Sequence, residues 1–205
     1  MKIELTSLGK RFNREWIFRK LSFRFTGNNH YAITGPNGSG KSTLLQIIAG
    51  STLHSEGGIE YNDSEKKFEA EQIFKKISFA APYLELVEEM TLHEFCNFHH
   101  KMKGWISFFD TKQIISLSGL EKSAHKQLRY FSSGMKQRVK LAQAIFSNVP
   151  VVLLDEPTTN LDEEGIQLYQ SLVENYCKDR LLIISSNNKE EYSFCSDCID
   201  MREYK

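Results

Sequence analysis

The chain has 205 residues, 40% of them hydrophobic, which suits one large domain or a domain carrying a smaller lobe. Its 26 basic and 26 acidic residues cancel to zero net charge, which argues against a sequence-independent nucleic-acid binder, a class that needs a phosphate-neutralising excess. No apolar run approaches the ~20 residues of a membrane span, and Met1-Lys2-Ile3-Glu4-Leu5 lacks the apolar core of a signal peptide, so the expectation is a cytosolic protein.

In chain order, residues 1–34 read as β-rich. Ile3, Leu5 and Leu8 mark a first strand, and Leu21, Phe23 and Phe25 alternate with Ser22 and Arg24 as a half-buried strand does. Gly27-Asn28-Asn29 signals a turn before a short buried strand, His30–Thr34. Next comes Gly35-Pro36-Asn37-Gly38-Ser39-Gly40-Lys41-Ser42-Thr43, which fits the phosphate-loop pattern G-x-x-x-x-G-K-[ST]. Such a loop aims backbone N–H groups at an anion, and the following helix, Leu44–Ala49 with Gly50 as its stop, adds the positive end of its dipole. Lys41 is suited to the β- and γ-phosphates of a nucleotide and Ser42 to Mg²⁺.

Gly57–Asn62 reads as a turn and short strand, Asp63 to Lys76 as a charged surface helix or loop, and Lys75–Pro82 as a strand closed by proline. From Thr91 to Leu128 the spacing becomes helical: Leu92, Phe95 and Phe98-His99, then Trp105, Phe108 and Phe109, then Ile114, Ile115 and Leu117. His93, His99 and His100 lack a completing carboxylate, so packing or surface roles are expected rather than a metal site. A polar turn, Tyr130–Met135, precedes an amphipathic helix in which Met135, Val139, Ala142 and Phe146 share one face. Its N-terminus is a second candidate anion site.

Val151–Leu154 reads as a buried parallel-type strand that ends in two acids. A carboxylate at a buried strand tip is costly unless it meets a cation. Asp155 therefore suits Mg²⁺, and Glu156 suits orienting or deprotonating an attacking water. Leu161–Tyr176 is a further helix, Leu181–Ser186 a buried strand ended by Asn187-Asn188, and Cys198–Met201 a last edge strand. The four cysteines include a lone C-x-x-C, Cys195 and Cys198, with no second pair and no histidine after His125; reduced thiols are the expected state. Strands alternating with helices predict an α/β fold with a mostly parallel sheet and a ligand at the carboxyl ends of its strands.

With these motifs in hand, the chain resembles the ATP-binding cassette (ABC) ATPases over nearly its whole length. Gly35–Thr43 and Val151–Glu156 match the two nucleotide motifs. Phe131-Ser132-Ser133-Gly134-Met135 resembles the signature L-S-G-G-Q, and Thr159-Asn160-Leu161-Asp162 the loop S-A-L-D. Phe12 stands where the family places its base-stacking aromatic, although spacing alone reads it as core. Departures are Ser133 and Met135 in the signature, Pro82 where a glutamine links Mg²⁺ to the membrane part, and Asn187 where a histidine touches the γ-phosphate. The resemblance implies a P-loop NTPase with an N-terminal antiparallel β part and an inserted helical lobe. Residues 1–82 and 148–205 would form the nucleotide-binding core and 83–147 the lobe, within one ABC domain. It further implies ATP and Mg²⁺ as ligands, with Glu156, Lys41 and Asn187 in catalysis. ATP would lie between the phosphate loop of one subunit and Ser132 and Gly134 of a second, in a homodimer or heterodimer. The chain would energise membrane-spanning subunits on separate chains, from the inner face of the membrane. Two other readings are a soluble ABC ATPase acting on nucleic acid or ribosomes, and a hydrolysis-impaired partner in a heterodimer.

Overall fold

A computed structural model describes residues 1–63 and 66–205. Strand β1 (Lys2–Phe12) pairs antiparallel with β2 (Glu15–Thr26) on one side and β4 (Glu56–Asp63) on the other, and β5 (Lys66–Phe68) extends β4, giving the order β2-β1-β4-β5. Register opposes Ile3 to Phe25, Leu5 to Phe23 and Leu8 to Leu21, which turns the apolar alternation of both strands to one side. The charged stretch from Asp63 to Lys76 departs from expectation. Beyond residues 64 and 65, which lie outside the described residues, it forms the edge strand β5 and a 3₁₀ turn, Ala70–Lys75, whose Ile73 is buried.

The second sheet is wholly parallel and runs β6 (Ile77–Ala80), β7 (Val151–Asp155), β8 (Leu181–Ser185), β3 (His30–Thr34), β9 (Asp197–Asp200). Every residue of β7 and β8 is buried, as central strands covered on both faces require. Because side chains alternate across a strand, the sheet separates two apolar cores. Val151, Leu153, Leu181 and Ile183 face α1 (Lys41–Ile48) and the aromatics of the antiparallel sheet. Val152, Leu154, Leu182 and Ile184 face the helices α2 (Leu92–Lys103), α3 (Thr111–Leu117), α4 (Ser133–Phe146) and α5 (Glu163–Tyr176).

Helices α2, α3 and α4 lie between β6 and β7 in the chain, forming the inserted helical lobe. Two reciprocal caps start it: Thr91 with Glu94 for α2, and Asp110 with Gln113 for α3. On α2 the buried stripe runs Leu92, Phe95, Cys96, His99, and Phe98 points to solvent. Trp105 and Phe109 join this core, whereas the side chain of Phe108 lies outside what the structure describes. A short helix, α6 (Lys189–Tyr192), links β8 to β9. Among the described residues no helix is long and apolar enough to cross a membrane.

Candidate functional site

The phosphate loop leaves the buried strand β3 and enters α1 at Lys41. Its backbone turns through positive φ at Gly38 (76°) and Gly40 (100°), and Ser39 N donates to Pro36 O at 3.0 Å. Gly40 has no substitute here: a Cβ would lie 2.7 Å from Ile17 Cγ2 on β2, in a conformation that side chains rarely adopt. The Lys41 side chain is buried and curls back over the loop, donating from Nζ to Gly35 O at 2.8 Å. Asn37, Gly38, Gly40, Lys41, Ser42 and Thr43 line a cavity of about 330 Å³ together with Ile17 and Glu156. A cation at the mouth of a nest of N–H groups is a site for a polyanion.

Strand β7 ends at Asp155, and Glu156 after it lines the same cavity. Asp155 is 1% exposed, and neither carboxylate oxygen accepts a hydrogen bond of good geometry. A buried, unsatisfied carboxylate calls for a cation. Ser42 and Asp155 are hard oxygen donors of the kind that hold Mg²⁺ with few protein ligands, the remaining positions going to phosphate and water, so the residues fit that ion. Glu156 follows at φ 42°, with its N–H bonded to Ser185 O at 2.8 Å, and this bend directs it to the cavity instead of along the sheet. Asn187, just past β8, donates from Nδ2 to Asn37 Oδ1 at 3.1 Å and so stands at the edge of the loop.

Ser132 and Gly134 lie elsewhere. Ser132 caps α4 by accepting from Met135 N at 3.2 Å. A Cβ at Gly134 would lie 2.9 Å from Asn160 O, so this turn and the 158–162 loop touch backbone to backbone. Both residues line a second cavity of about 680 Å³ with Asn160, Leu161 and Asp162. That loop is held from both sides. Gln137 Nε2 donates to Pro157 O at 2.8 Å, and the buried Glu191 carboxylate accepts from Thr158 N at 2.9 Å and from the Thr158 hydroxyl.

Phe12 is not in the wall of the loop cavity. It sits half exposed at the end of β1 with the Lys10 ammonium 4.5 Å from its ring centre, and Ile17 is the apolar residue that reaches the loop. After β6, Pro82 offers its carbonyl to Lys140 Nζ at 2.6 Å. The next residue, Tyr83, which spacing did not single out, stands beside Asp155 and Gln46, and burial and the Asp155 charge push its phenol well above the ordinary range. A cue lay in the proline after an apolar strand, which suits the second position of a β-turn and so signals a change of chain direction there. His99 packs, as expected: its Nε2 bonds Ser147 Oγ at 2.7 Å and its ring lies 4.9 Å from that of Trp105. Burial holds its pKa down at about 4. Cys195 and Cys198 are free thiols, and among the described residues no three His, Cys, Asp or Glu gather as a metal site.

Comparison with known proteins bears on this geometry. A model of the ABC transporter family matches residues 18–159. A Bacillus subtilis relative, the uncharacterized ABC transporter ATP-binding protein YybJ, is 33% identical over 97% of this chain and 92% of its own length. An ABC transporter ATP-binding protein from Pyrococcus furiosus has a similar structure at TM-score 0.83 and 22% identity, covering all of both chains. A dimeric bacterial ABC transporter cassette superposes at TM-score 0.80 and 21% identity over 97% of this chain and 94% of the other.

Proposed function

The chain belongs to the ABC transporter family, and from that premise we propose that it binds and hydrolyses ATP with Mg²⁺ and energises membrane-spanning subunits on separate chains by closing, ATP-bound, against a second cassette. The observation that carries the reading is the buried Asp155 carboxylate, without a hydrogen-bond partner among the described residues, at the end of β7 in the same parallel sheet whose strand β3 runs into the phosphate loop, with β8 between them. The loop from Gly35 to Gly40 wraps the phosphates, with N–H donors from residues such as Asn37, Gly38 and Gly40 but none from Pro36; Lys41 meets the β- and γ-oxygens, and Thr43 supports the loop at the start of α1. Ser42 and Asp155 hold Mg²⁺, which when bound neutralises charge on the β- and γ-phosphates. Glu156 orients the attacking water and takes its proton. Asn187, an amide bonded to Asn37, donates to the γ-phosphate, and its neutral head makes turnover slow. Phe12, half exposed at the end of β1, is assigned to the base, at a gain of about 1–3 kcal/mol for one stacked ring.

The second copy is called for by the separation of the two cavities. Ser132 and Gly134 share no wall with Lys41 and Glu156 within one chain. An N-cap serine and free helix N–H groups at the start of α4 are an anion site in search of a phosphate, and the γ-phosphate of a partner cassette supplies it. Membrane association then comes through partner subunits at the inner face.

The test is the Glu156→Gln protein, which keeps the shape of the site and loses the base. It is expected to run as a dimer with Mg-ATP and as a monomer without, and to hydrolyse ATP about 10²–10⁴-fold more slowly than the wild type. Full hydrolysis in this variant removes Glu156 from its role, and failure to pair in ATP removes the two-copy mechanism.

A further inference from the structure

The buried acid that grips the loop after Glu156 has no part in the mechanism above. We infer that Glu191 is a positioning residue: by holding Thr158 it fixes the 158–162 loop against the Gly134 turn, and so sets the surface that this chain offers to a second cassette. This rests on the two-copy reading and deepens it.

The loop makes two tight turns after β7. Thr159 N donates to Glu156 O at 3.2 Å and Leu161 N to Thr158 O at 2.9 Å. Asn160 takes up φ 65°, a region that asparagine enters more readily than most side chains. Its carbonyl then meets the Gly134 backbone, where a Cβ would lie 2.9 Å away, so a shift of the loop is felt directly at that turn. Helix α4 ties down the two ends of the loop. Gln137 Nε2 donates to Pro157 O at 2.8 Å, and Arg138 Nη2 donates to Asp162 Oδ1 at 3.2 Å. Between those ends Glu191 holds Thr158, with one oxygen, Oε1, accepting from Thr158 N at 2.9 Å and also from the Thr158 hydroxyl.

Glu191 is itself fixed from the nucleotide side. It follows Asn187, whose Nδ2 donates to Asn37 Oδ1 of the phosphate loop at 3.1 Å. Ser186 Oγ accepts from Asn188 N at 2.8 Å, Asn188 Oδ1 accepts from Glu190 N at 3.1 Å, and Asn188 O accepts from Glu191 N at 3.1 Å. From α5 the Tyr169 hydroxyl donates to Glu191 O at 2.7 Å. One short segment, Ser186 to Glu191, thereby touches the phosphate loop near its start and the 158–162 loop at its end. The Glu191 side chain is buried, and among the described residues its Oε2 has no hydrogen-bond partner. A buried acceptor left unpaired costs stability, and an apolar residue would avoid that cost. What the acid supplies is a carboxylate for two converging donors, a stronger tie than a neutral acceptor makes.

The test uses the full chain carrying Glu156→Gln, with pairing in Mg-ATP read by sedimentation and nucleotide binding read with a fluorescent ATP analogue at dilutions where the chain is monomeric. Glu191→Met, added to it, fills the same space without an acceptor. The expected result is a dimer Kd raised about tenfold, with the analogue Kd within about twofold of the parent. Glu191→Gln keeps an acceptor for Thr158 and should restore pairing to within about threefold of the parent. Thr158→Val removes one of the two donors and should raise the dimer Kd about threefold; combined with Glu191→Met it should be no weaker than Glu191→Met alone, because both act through one contact. An unchanged dimer Kd in Glu191→Met, or in Thr158→Val where only that variant folds, overturns the inference while the nucleotide site stands. So does a loss of analogue binding equal to the loss of pairing, or a Gln variant no better than Met, since either marks a merely structural residue. A Glu156→Gln parent that stays monomeric in Mg-ATP overturns the two-copy reading and this inference with it.

Discussion

Asp155→Asn separates stability from function at the centre of the site. Asparagine matches aspartate in shape, so the substitution opens no cavity among the neighbours of β7. What changes is a charge that is 1% exposed and whose two oxygens accept no hydrogen bond. An unsatisfied buried polar group costs about 1–3 kcal/mol, and more when charged. The amide still needs partners, so removing the charge alone should return about 1–2 kcal/mol to the metal-free protein. In a chain of this size one kcal/mol moves Tm by about 2–4 °C. The variant in EDTA should therefore melt roughly 2–8 °C above the wild type. With Mg-ATP the order reverses. At a hundred times its Kd a ligand adds about 2.7 kcal/mol to the wild type, and the variant, lacking the anionic metal donor, should gain little of this. Thermal melts of both proteins, each in EDTA and in Mg-ATP, give the four numbers needed. An Asp155→Asn protein that melts at or below the wild type in EDTA refutes the claim of an uncompensated charge, and an undiminished Mg-ATP shift refutes its role in holding the metal.

Two further outcomes concern Asn187 and His99. Asn187→His should raise kcat by up to about 10²-fold, since an imidazole beside Asn37 reaches farther than an amide and carries a proton for the γ-phosphate; steady-state phosphate release measures it, and an unchanged or lower rate counts against Asn187 as the limiting group. His99, held near 4 by burial first and by Lys103 and His100 next, against 6.5 in the unfolded chain, binds fewer protons folded than unfolded between those values. Stability should therefore fall as pH drops from 6.5 towards 4, by about 2 kcal/mol from this group on reaching pH 5. Urea melts of His99→Gln, which keeps a donor for Ser147, should show a correspondingly flatter pH dependence, and an unaltered slope would assign the acid sensitivity to other groups.

How far the chain could be read in advance depended on whether a residue's fate is decided locally. The continuous apolar runs at Val151–Leu154 and Leu181–Ile184 needed no partner to declare themselves, because a strand covered on both faces tolerates little else. The phosphate loop was equally plain, since its glycines answer to the backbone within six residues. Strand β5 escaped notice for the opposite reason: three residues of Lys66–Phe68 carry too short a pattern, and pairing with β4 makes the strand. On α2, spacing left Phe98 and His99 as equal claimants to the core; Ser147 and Trp105, both from outside that helix, decide for the histidine by supplying a hydrogen bond and a ring. The same limit governs the turn after β6. Proline at 82 offers no side-chain oxygen or N–H, so a link through that position must be remade or absent. The turn closed by Leu84 and the grip of Lys140 bring the following residue round instead, a rearrangement that depends on an amide two residues on and a lysine 58 residues away. A motif can therefore be lost from its expected position while a neighbouring side chain approaches the same carboxylate, and the chemistry that substitution leaves intact is decided by the geometry of the turn.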